Sequence, residues 1–332
     1  MTAKLGVVGA GGGGAAATSV LGSALPSAEI TVFEKSRGVC GRAAARRRNG
    51  IVYEYGANYL SDAGGRVSEL VTGELDDRLV EVDGPVWTFN ADGEISRGGS
   101  DGERRWTYED GITRLAKHLL GRSGAVVNRE TRVVDINYED DWRLTTADGE
   151  EHGPFGALLL NPPAPQTADL LSETGRASAD RLGEAAQEVE YHTGWTAVLG
   201  YDFALDLPYY GLANVDGEHP VSWIGREEKK PGHVPARRSV LIVQASPEWA
   251  SARYEDAPEE NVTDLAEHAA RIVGDRRLAT PDWTDHQGWR YAFAAGSVDD
   301  EPLGEAAQDG IYVTGDWVAE ESRLDAAIRH GL

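Results

Sequence analysis

Gly9-Ala10-Gly11-Gly12-Gly13-Gly14 is the first pattern along the chain with chemistry to offer. It satisfies G-x-G-x-x-G, and Glu34 follows Gly14 by 20 residues. That pairing suits the pyrophosphate of an adenine dinucleotide. One glycine turns the chain tightly, the next lets backbone approach the phosphates, and the third lets helix pack on strand. The helix N-terminus adds N–H donors and a partial positive charge. Glu34 can accept hydrogen bonds from ribose hydroxyls, and its charge repels a 2′-phosphate. The motif does not by itself separate NAD from FAD. Cys40 is the only cysteine, which excludes an internal disulfide, a Cys-ligated zinc and a CxxC redox pair. The 8 histidines show no HExxH spacing, so no metal site is expected.

The elements that must position these residues read as follows. Leu5–Val8 is a short apolar run ending in glycine and reads as a buried parallel strand. A helix runs from Ala15 to Leu25, Pro26 and Ser27 break it, and Glu29–Glu34 is a second strand, giving a βαβ half-unit. Residues 110–120 form an amphipathic helix with Ile112, Leu115, Ala116 and Leu119 on one face. Residues 125–150 read as a β-meander with a turn at Asp148-Gly149, and Ala157–Leu160 as a strand stopped by Asn161-Pro162-Pro163. Strands are expected over 190–204 and 239–246, and a helix over Asn261–Val273. A last strand, Gly310–Thr314, leads into Gly315-Asp316 and a helix from about Leu324. This closing strand–Gly–Asp is the layout of a flavoprotein. There the Asp meets the ribityl chain and the next helix directs its N-terminus at the pyrimidine end of the flavin. The bland alternative for Asp316 is an ordinary helix N-cap.

The 332 residues suit two domains, and 41% hydrophobic residues can fill sizeable cores. No apolar stretch reaches the ~20 residues of a membrane helix, and the N-terminus lacks signal-peptide features. Against 55 Asp+Glu stand 32 Lys+Arg, a net charge of −23 that argues against nucleic acid. Five of the cations are lysines and 27 are arginines. Few lysines among many carboxylates fit a protein kept soluble in concentrated salt, where the Debye length falls to about 3 Å at 1 M. A salt-rich cytoplasm is the expected location.

From Val32 to Arg42 the sequence VFEKSRGVCGR resembles the renalase family of FAD-dependent oxidoreductases, relatives of the amine-oxidase and protoporphyrinogen-oxidase flavoproteins, which share a strand-end Glu followed by R-x-G-G-R. Further resemblances follow in chain order: Tyr53–Tyr59, Pro163-Ala164-Pro165-Gln166, Ser222-Trp223-Ile224 with Lys229-Lys230-Pro231-Gly232, Val243–Trp249, Trp289-Arg290-Tyr291-Ala292 and Gly315-Asp316-Trp317. The resemblance implies non-covalent FAD and a two-domain fold like that of para-hydroxybenzoate hydroxylase. That is α/β, with a Rossmann-like FAD domain (1–75, 122–165 and 284–332) and an inserted mixed-sheet substrate domain (76–121 and 166–283). It also implies oxidation of 2- or 6-dihydro isomers of NAD(P), with O2 taking the electrons as peroxide, by a monomer or weak homodimer. Carried over by position, Gly9, Gly11, Gly14, Glu34, Arg42 and Asp316 would hold FAD, and Arg37, Gly41, Ala57 and Asn58 would line the flavin. Gly13, Lys35, Gly56, Val133, Pro163, Gly315, Arg323, Leu324 and Ala327 complete the expected cofactor set. Four positions depart from the family pattern: Cys40 for glycine, Asn58 for glutamine, Gln244 for histidine and Glu228 for serine. If the backbone at Cys40 needs φ > 0, the loop is strained.

Hydride transfer to flavin needs no acid–base residue at the donor carbon. The protein supplies a flat slot, orientation and exclusion of water. Asn58, Tyr59, Tyr191, Trp223, Trp289, Arg290 and Tyr291 are the slot candidates, with Trp195 as a further aromatic. Each aromatic is set against an ordinary core role. Arg226 and Arg290 could meet substrate phosphates or form solvated ion pairs, and Lys229-Lys230 reads as a lid or an exposed turn. The acidic tract Glu255–Glu260 reads as a solvated face. Two other functions stay open: another FAD enzyme on this scaffold, such as an amine oxidase or desaturase, and a silent flavin-binding interaction protein.

Overall fold

The computed structural model describes residues 2–62, 64–98, 103–319 and 321–332. The chain divides into two compact units, one comprising Met1–Arg42, Thr113–Tyr191 and Phe293–Leu332, the other Ala43–Ile112 and His192–Ala292.

In the first unit, five parallel strands lie in the order Val126–Arg129, Glu29–Glu34, Lys4–Val8, Ala157–Leu160, Ile311–Val313. Val7 stands opposite Val32 on one side and Leu159 on the other. The strands are short apolar runs because both faces of such a sheet are covered. Gly12–Ala24 is the first crossover helix, and its Gly22 lets the helix Thr113–Ser123 come close, since a Cβ there would lie 2.1 Å from the Ser123 carbonyl. The expected meander divides. Val126–Arg129 instead extends the parallel sheet beside Glu29–Glu34, and the antiparallel strands are Val133–Tyr138, Trp142–Thr146 and Glu151–Phe155. The turn at Asp148-Gly149 forms as read, with Gly149 at φ +85°. Val8, Phe33, Trp142, Leu160, Leu182 and Trp317 belong to one buried core.

The second unit is built on a seven-stranded mixed sheet. Its order is Trp283–Ala294, Tyr191–Tyr201, Ser239–Ala245, Val221–Arg226, Gly211–Asn214, Val86–Phe89, Ile95–Ser96. Helix Pro258–Val273 packs Val262, Leu265, Ala266 and Ala269 into the core that Leu199, Ile224, Leu241 and Val243 share. The expected domain boundaries move accordingly. Residues 43–75 join the second unit because Ile51, Tyr53 and Tyr55 pack with Val198, Val240 and Ile242. Residues 166–191 join the first because Ala168, Leu170, Leu182 and Ala186 enter its core. Among the described residues, no helix is long and apolar enough to cross a membrane.

Candidate functional site

The glycine turn leaves the carboxyl end of Lys4–Val8 and opens the helix Gly12–Ala24. Its glycines answer to two different demands. Gly9 has φ +95°, and a Cβ on Gly14 would stand 2.4 Å from the Gly9 carbonyl oxygen. A Cβ on Gly11 would stand 2.6 Å from Asn161 Oδ1. Gly12 and Gly13 face the helix Leu324–Gly331 instead, where a Cβ would meet Leu324 Cδ1 at 2.6 Å and the Ala327 carbonyl at 2.9 Å. Leu324 and Ala327, expected at the cofactor, therefore pack on the glycine helix.

Glu34 is buried at the end of its strand. Its Oε2 accepts the Ala10 amide at 2.8 Å and its Oε1 accepts the Ser36 amide at 2.8 Å. Each carboxylate oxygen keeps a further lone pair for a ribose hydroxyl. The first turn of the glycine helix presents N–H groups with no intrahelical acceptor. Donors, dipole and carboxylate at the carboxyl ends of parallel strands fit the ADP half of a dinucleotide.

The loop that carries Cys40 lies along this turn. Cys40 donates its amide to the Ala10 carbonyl at 2.8 Å, and the backbones of Gly11 and Cys40 pair as a bridge. Cys40 is buried with φ +83°, followed by Gly41 at φ +54°. The position does need the left-handed region, and here a β-carbon occupies it. Arg42 grips Asp316 with both terminal nitrogens, at 2.8 and 2.6 Å. Asp316 does not cap a helix, because Arg323 holds the N-cap position of Leu324–Gly331. Gly315, at φ +151°, sits under the Trp317 ring, and Trp317 Nε1 donates to the Pro162 carbonyl at 3.0 Å.

Asn161 escaped sequence reasoning. Its Nδ2 donates to the Thr314 carbonyl at 2.8 Å while its Oδ1 stands over Gly11, so one side chain ties the glycine turn to the closing Gly-Asp loop. The signal was present in Asn161-Pro162-Pro163, which read only as a strand stop. Tyr191 also belongs here and not with the aromatic slot. Its hydroxyl accepts the Ala164 amide at 3.2 Å, just after Pro163. Burial, with the Asp316 charge close by, pushes its phenol far up, so it stays neutral. The other expected cofactor residues of this unit have the following surroundings. Lys35 donates to Gln166 at 3.3 Å, the exposed Arg37 gives its carbonyl to Arg129, Val133 is buried in the meander, and Arg323 pairs with Asp325 at 3.1 Å.

Gly56, Ala57, Asn58 and Tyr59 fall in the second unit. The Gly56 carbonyl accepts both Asn58 Nδ2 at 2.9 Å and Gln244 Nε2 at 2.8 Å. Tyr59, Tyr210 and Trp223 form a mutual cluster with ring centres about 6 Å apart. Trp223 lies across two glycines that face each other in the sheet, Gly211 and Gly225, where a Cβ would come within 2.5 and 2.7 Å of its ring. Asn58 and Tyr59 therefore do meet Trp223. Trp289 does not join them: it stacks on Tyr55 at 5.5 Å, and Arg46 lies over the same Tyr55 ring at 4.2 Å. Arg290 is exposed and pairs with Glu255 at 3.1 Å, Tyr291 is half-buried on the same strand, and Trp195 stacks on His286.

Of three cations expected at the surface or at phosphates, Arg226 and Lys230 are internal and Lys229 stays at the surface. Arg226 is 2% exposed and donates to the carbonyls of Leu205, Leu207 and Tyr209 and to Glu228 Oε1. It is neither solvated nor free for a phosphate. Lys229 pairs with Asp83 at 3.1 Å. Lys230 is fully buried: its ammonium donates to Glu54 Oε2 at 2.7 Å and to Glu227 Oε1. His233 completes this cluster, with Nδ1 at 2.9 Å from Glu227 Oε2 and Nε2 at 2.9 Å from the Tyr108 carbonyl. Both ring nitrogens face acceptors, so the ring is an imidazolium and the cluster carries two negative and two positive charges. Burial pulls His233 down, but the Glu227 hydrogen bond and the Glu54 and Glu227 charges outweigh it and hold its pKa above the usual value. Glu54 Oε1 accepts the Ile112 amide and the Thr107 hydroxyl. These carboxylates and His233 could offer ligands to a metal ion by proximity, but Lys230 already stands among them.

The geometry agrees with the comparisons. Residues 7–73 match the NAD(P)-binding Rossmann-like domain, and residues 76–332 match the flavin containing amine oxidoreductase family. Mouse renalase is 23% identical over 206 residues, a match spanning 61% of this chain and 60% of renalase. Among solved structures, one assigned as a protoporphyrinogen oxidase from Exiguobacterium sp. 255-15 superposes with a TM-score of 0.81 at 15% identity, over 100% of this chain and 97% of that one. Reduced UDP-galactopyranose mutase gives 0.80 at 10% identity, over 100% and 92%. A variant of putrescine oxidase gives 0.76 at 15%, over 100% and 98%. The cofactor is FAD, and the chain is an FAD-dependent oxidoreductase that belongs to the flavin containing amine oxidoreductase family.

Proposed function

We propose that this enzyme is a renalase-like oxidase of misreduced nicotinamide dinucleotides. The 2- or 6-dihydro isomer of NAD(P) gives up a hydride and O2 is the final acceptor, so that dihydronicotinamide, O2 and one proton yield the aromatic nicotinamide and H2O2. FAD, when bound, supplies the two-electron relay between them. Glu34 and the glycine turn would hold its ADP half, and Arg42 with Asp316 the closing loop beside it. The observation that carries the reading is the character of the Asn58, Tyr59, Tyr210, Trp223 and Gln244 group: three aromatic rings and two amides, with no carboxylate and no histidine among them. A flat neutral ring suits such walls, and no carboxylate stands among them to pair with a cationic amine. Orientation and water exclusion are all that hydride donation asks of the protein. The run of renalase-like motifs and the match to mouse renalase support the same reading.

The acidic, lysine-poor composition we read as adaptation to a salt-rich cytoplasm. Anaerobic mixing of the FAD-loaded enzyme with 2-dihydro-NAD, 6-dihydro-NAD, NADH and simple amines tests the function. Rapid bleaching of the flavin by the misreduced isomers is the expected result, and bleaching by an amine alone overturns it.

A further inference from the structure

Two polar atoms in the aromatic group of the second unit have no partner. Asn58 Oδ1 and Trp223 Nε1 are both buried, and neither makes a hydrogen bond. Asn58 is 8% exposed, while Trp223 as a whole is half-buried, so part of its indole faces open space. The two atoms flank one point. An ideal Cβ on Gly225 would lie 2.7 Å from Trp223 Nε1 and 3.1 Å from Asn58 Oδ1. A donor and an acceptor thus stand close together on one side of Gly225. Orphaned buried polar groups are rare in folded chains because each carries its full desolvation cost.

The orientation of the Asn58 amide is not arbitrary. Its Nδ2 is committed to the Gly56 carbonyl, which Gln244 also engages, and this fixes Oδ1 as the outward acceptor. Trp223 is fixed as the donor, because an indole nitrogen can only donate. The nearest charges are Arg105, 5.4 Å over the Tyr59 ring and paired with Glu103, and Lys230, 5.7 Å over the Tyr210 ring and balanced by Glu54 and Glu227.

Resting on the functional reading above, we infer that Asn58 and Trp223 are specificity residues for a neutral primary carboxamide. The carbonyl of that carboxamide accepts from Trp223 Nε1 and its NH2 donates to Asn58 Oδ1. A dihydronicotinamide carries this group on C3, next to the hydride-bearing C2 of the 2-dihydro isomer and across the ring from C6 of the 6-dihydro isomer, so pairing it would orient either ring. Because both atoms are buried, binding requires the indole or the Asn58 amide to shift toward the ligand.

The test compares the 6-dihydro isomers of NAD and of its 3-acetylpyridine analogue, which keeps the carbonyl and lacks the NH2. It uses the FAD-loaded wild type and its Trp223→Phe and Asn58→Leu variants. Anaerobic rates of flavin bleaching are read together with dissociation constants for the oxidised dinucleotides, obtained from the perturbed flavin spectrum. Each neutral hydrogen bond is worth about five- to tenfold. Wild type should favour the carboxamide by about that factor in both readouts. Asn58→Leu should abolish the preference, and Trp223→Phe should weaken both ligands alike. A wild type that reacts with both compounds equally overturns the inference and leaves the functional reading standing. A wild type bleached by neither overturns that reading and the inference with it.

Discussion

Replacing Lys230 by methionine removes the cation from the interior of the second unit while keeping much of its stem. Lys230 balances two carboxylates, Glu54 and Glu227, at fully buried positions, and His233 can offset only one of them. One carboxylate is left uncompensated in a low-dielectric site. Breaking a buried ion pair in this way costs about 3–5 kcal/mol, against about 0–1 kcal/mol for an exposed pair. With total stabilities of roughly 5–15 kcal/mol, the loss would remove about a fifth or more of the margin. Denaturant unfolding of the FAD-loaded protein reads it as a lower midpoint at unchanged slope. Lys229→Met, which gives up only the exposed pairing to Asp83, is the matched control and should shift the midpoint little. Adding Glu227→Gln to Lys230→Met removes the surplus charge and should recover part of the loss. A Lys230→Met protein destabilised no more than the Lys229 control would refute the buried-charge argument.

Three further outcomes follow from the same geometry. His233 is held above its ordinary pKa of about 6.5, so its contribution is complete below that value and fades as pH rises through the folded-state value. His219, His268 and His330 are pushed down by burial and act in the opposite sense, losing their contribution as pH falls. The comparison is therefore wild type against His233→Gln, whose gap in melting temperature should narrow toward alkaline pH; a gap that widens would reverse the assigned charge state. Cys40→Gly should be more stable than Cys40→Ala by about 0.5–1 kcal/mol, because a left-handed residue with a β-carbon costs roughly 1–2 kcal/mol and the flexibility of glycine returns part of that. Equal melting temperatures would mean the loop is unstrained. Glu34→Ala should lower the FAD content of the purified protein, measured by absorbance ratio. Full retention would remove Glu34 from the ribose.

Three strands of the parallel sheet were legible from sequence because each is a short apolar run closed by a turn signal: Gly9 after Val8, Asn161 after Leu160, Gly315 after Thr314. Val126–Arg129 was assigned to the wrong neighbours because its alternation is the same whether it pairs with a meander or with a parallel edge. Only packing against Glu29–Glu34 decides between them. The glycine motif pointed to the nucleotide turn, but not to the division of labour within it, since Gly12 and Gly13 serve a helix from the other end of the chain. Lys230 stood out as a rare lysine, yet its partners Glu54 and Glu227 lie 176 and 3 residues away. Nothing local distinguishes a lysine on an exposed Pro-Gly turn from one turned inward.

The contact of Leu324–Gly331 with the glycine turn has a consequence for how the protein comes to capture its cofactor. During synthesis the phosphate-binding turn emerges before its brace, so the cradle cannot be held in its final form while the intervening chain is still being made. A fully formed phosphate cradle thereby depends on two segments from opposite parts of the sequence having found each other.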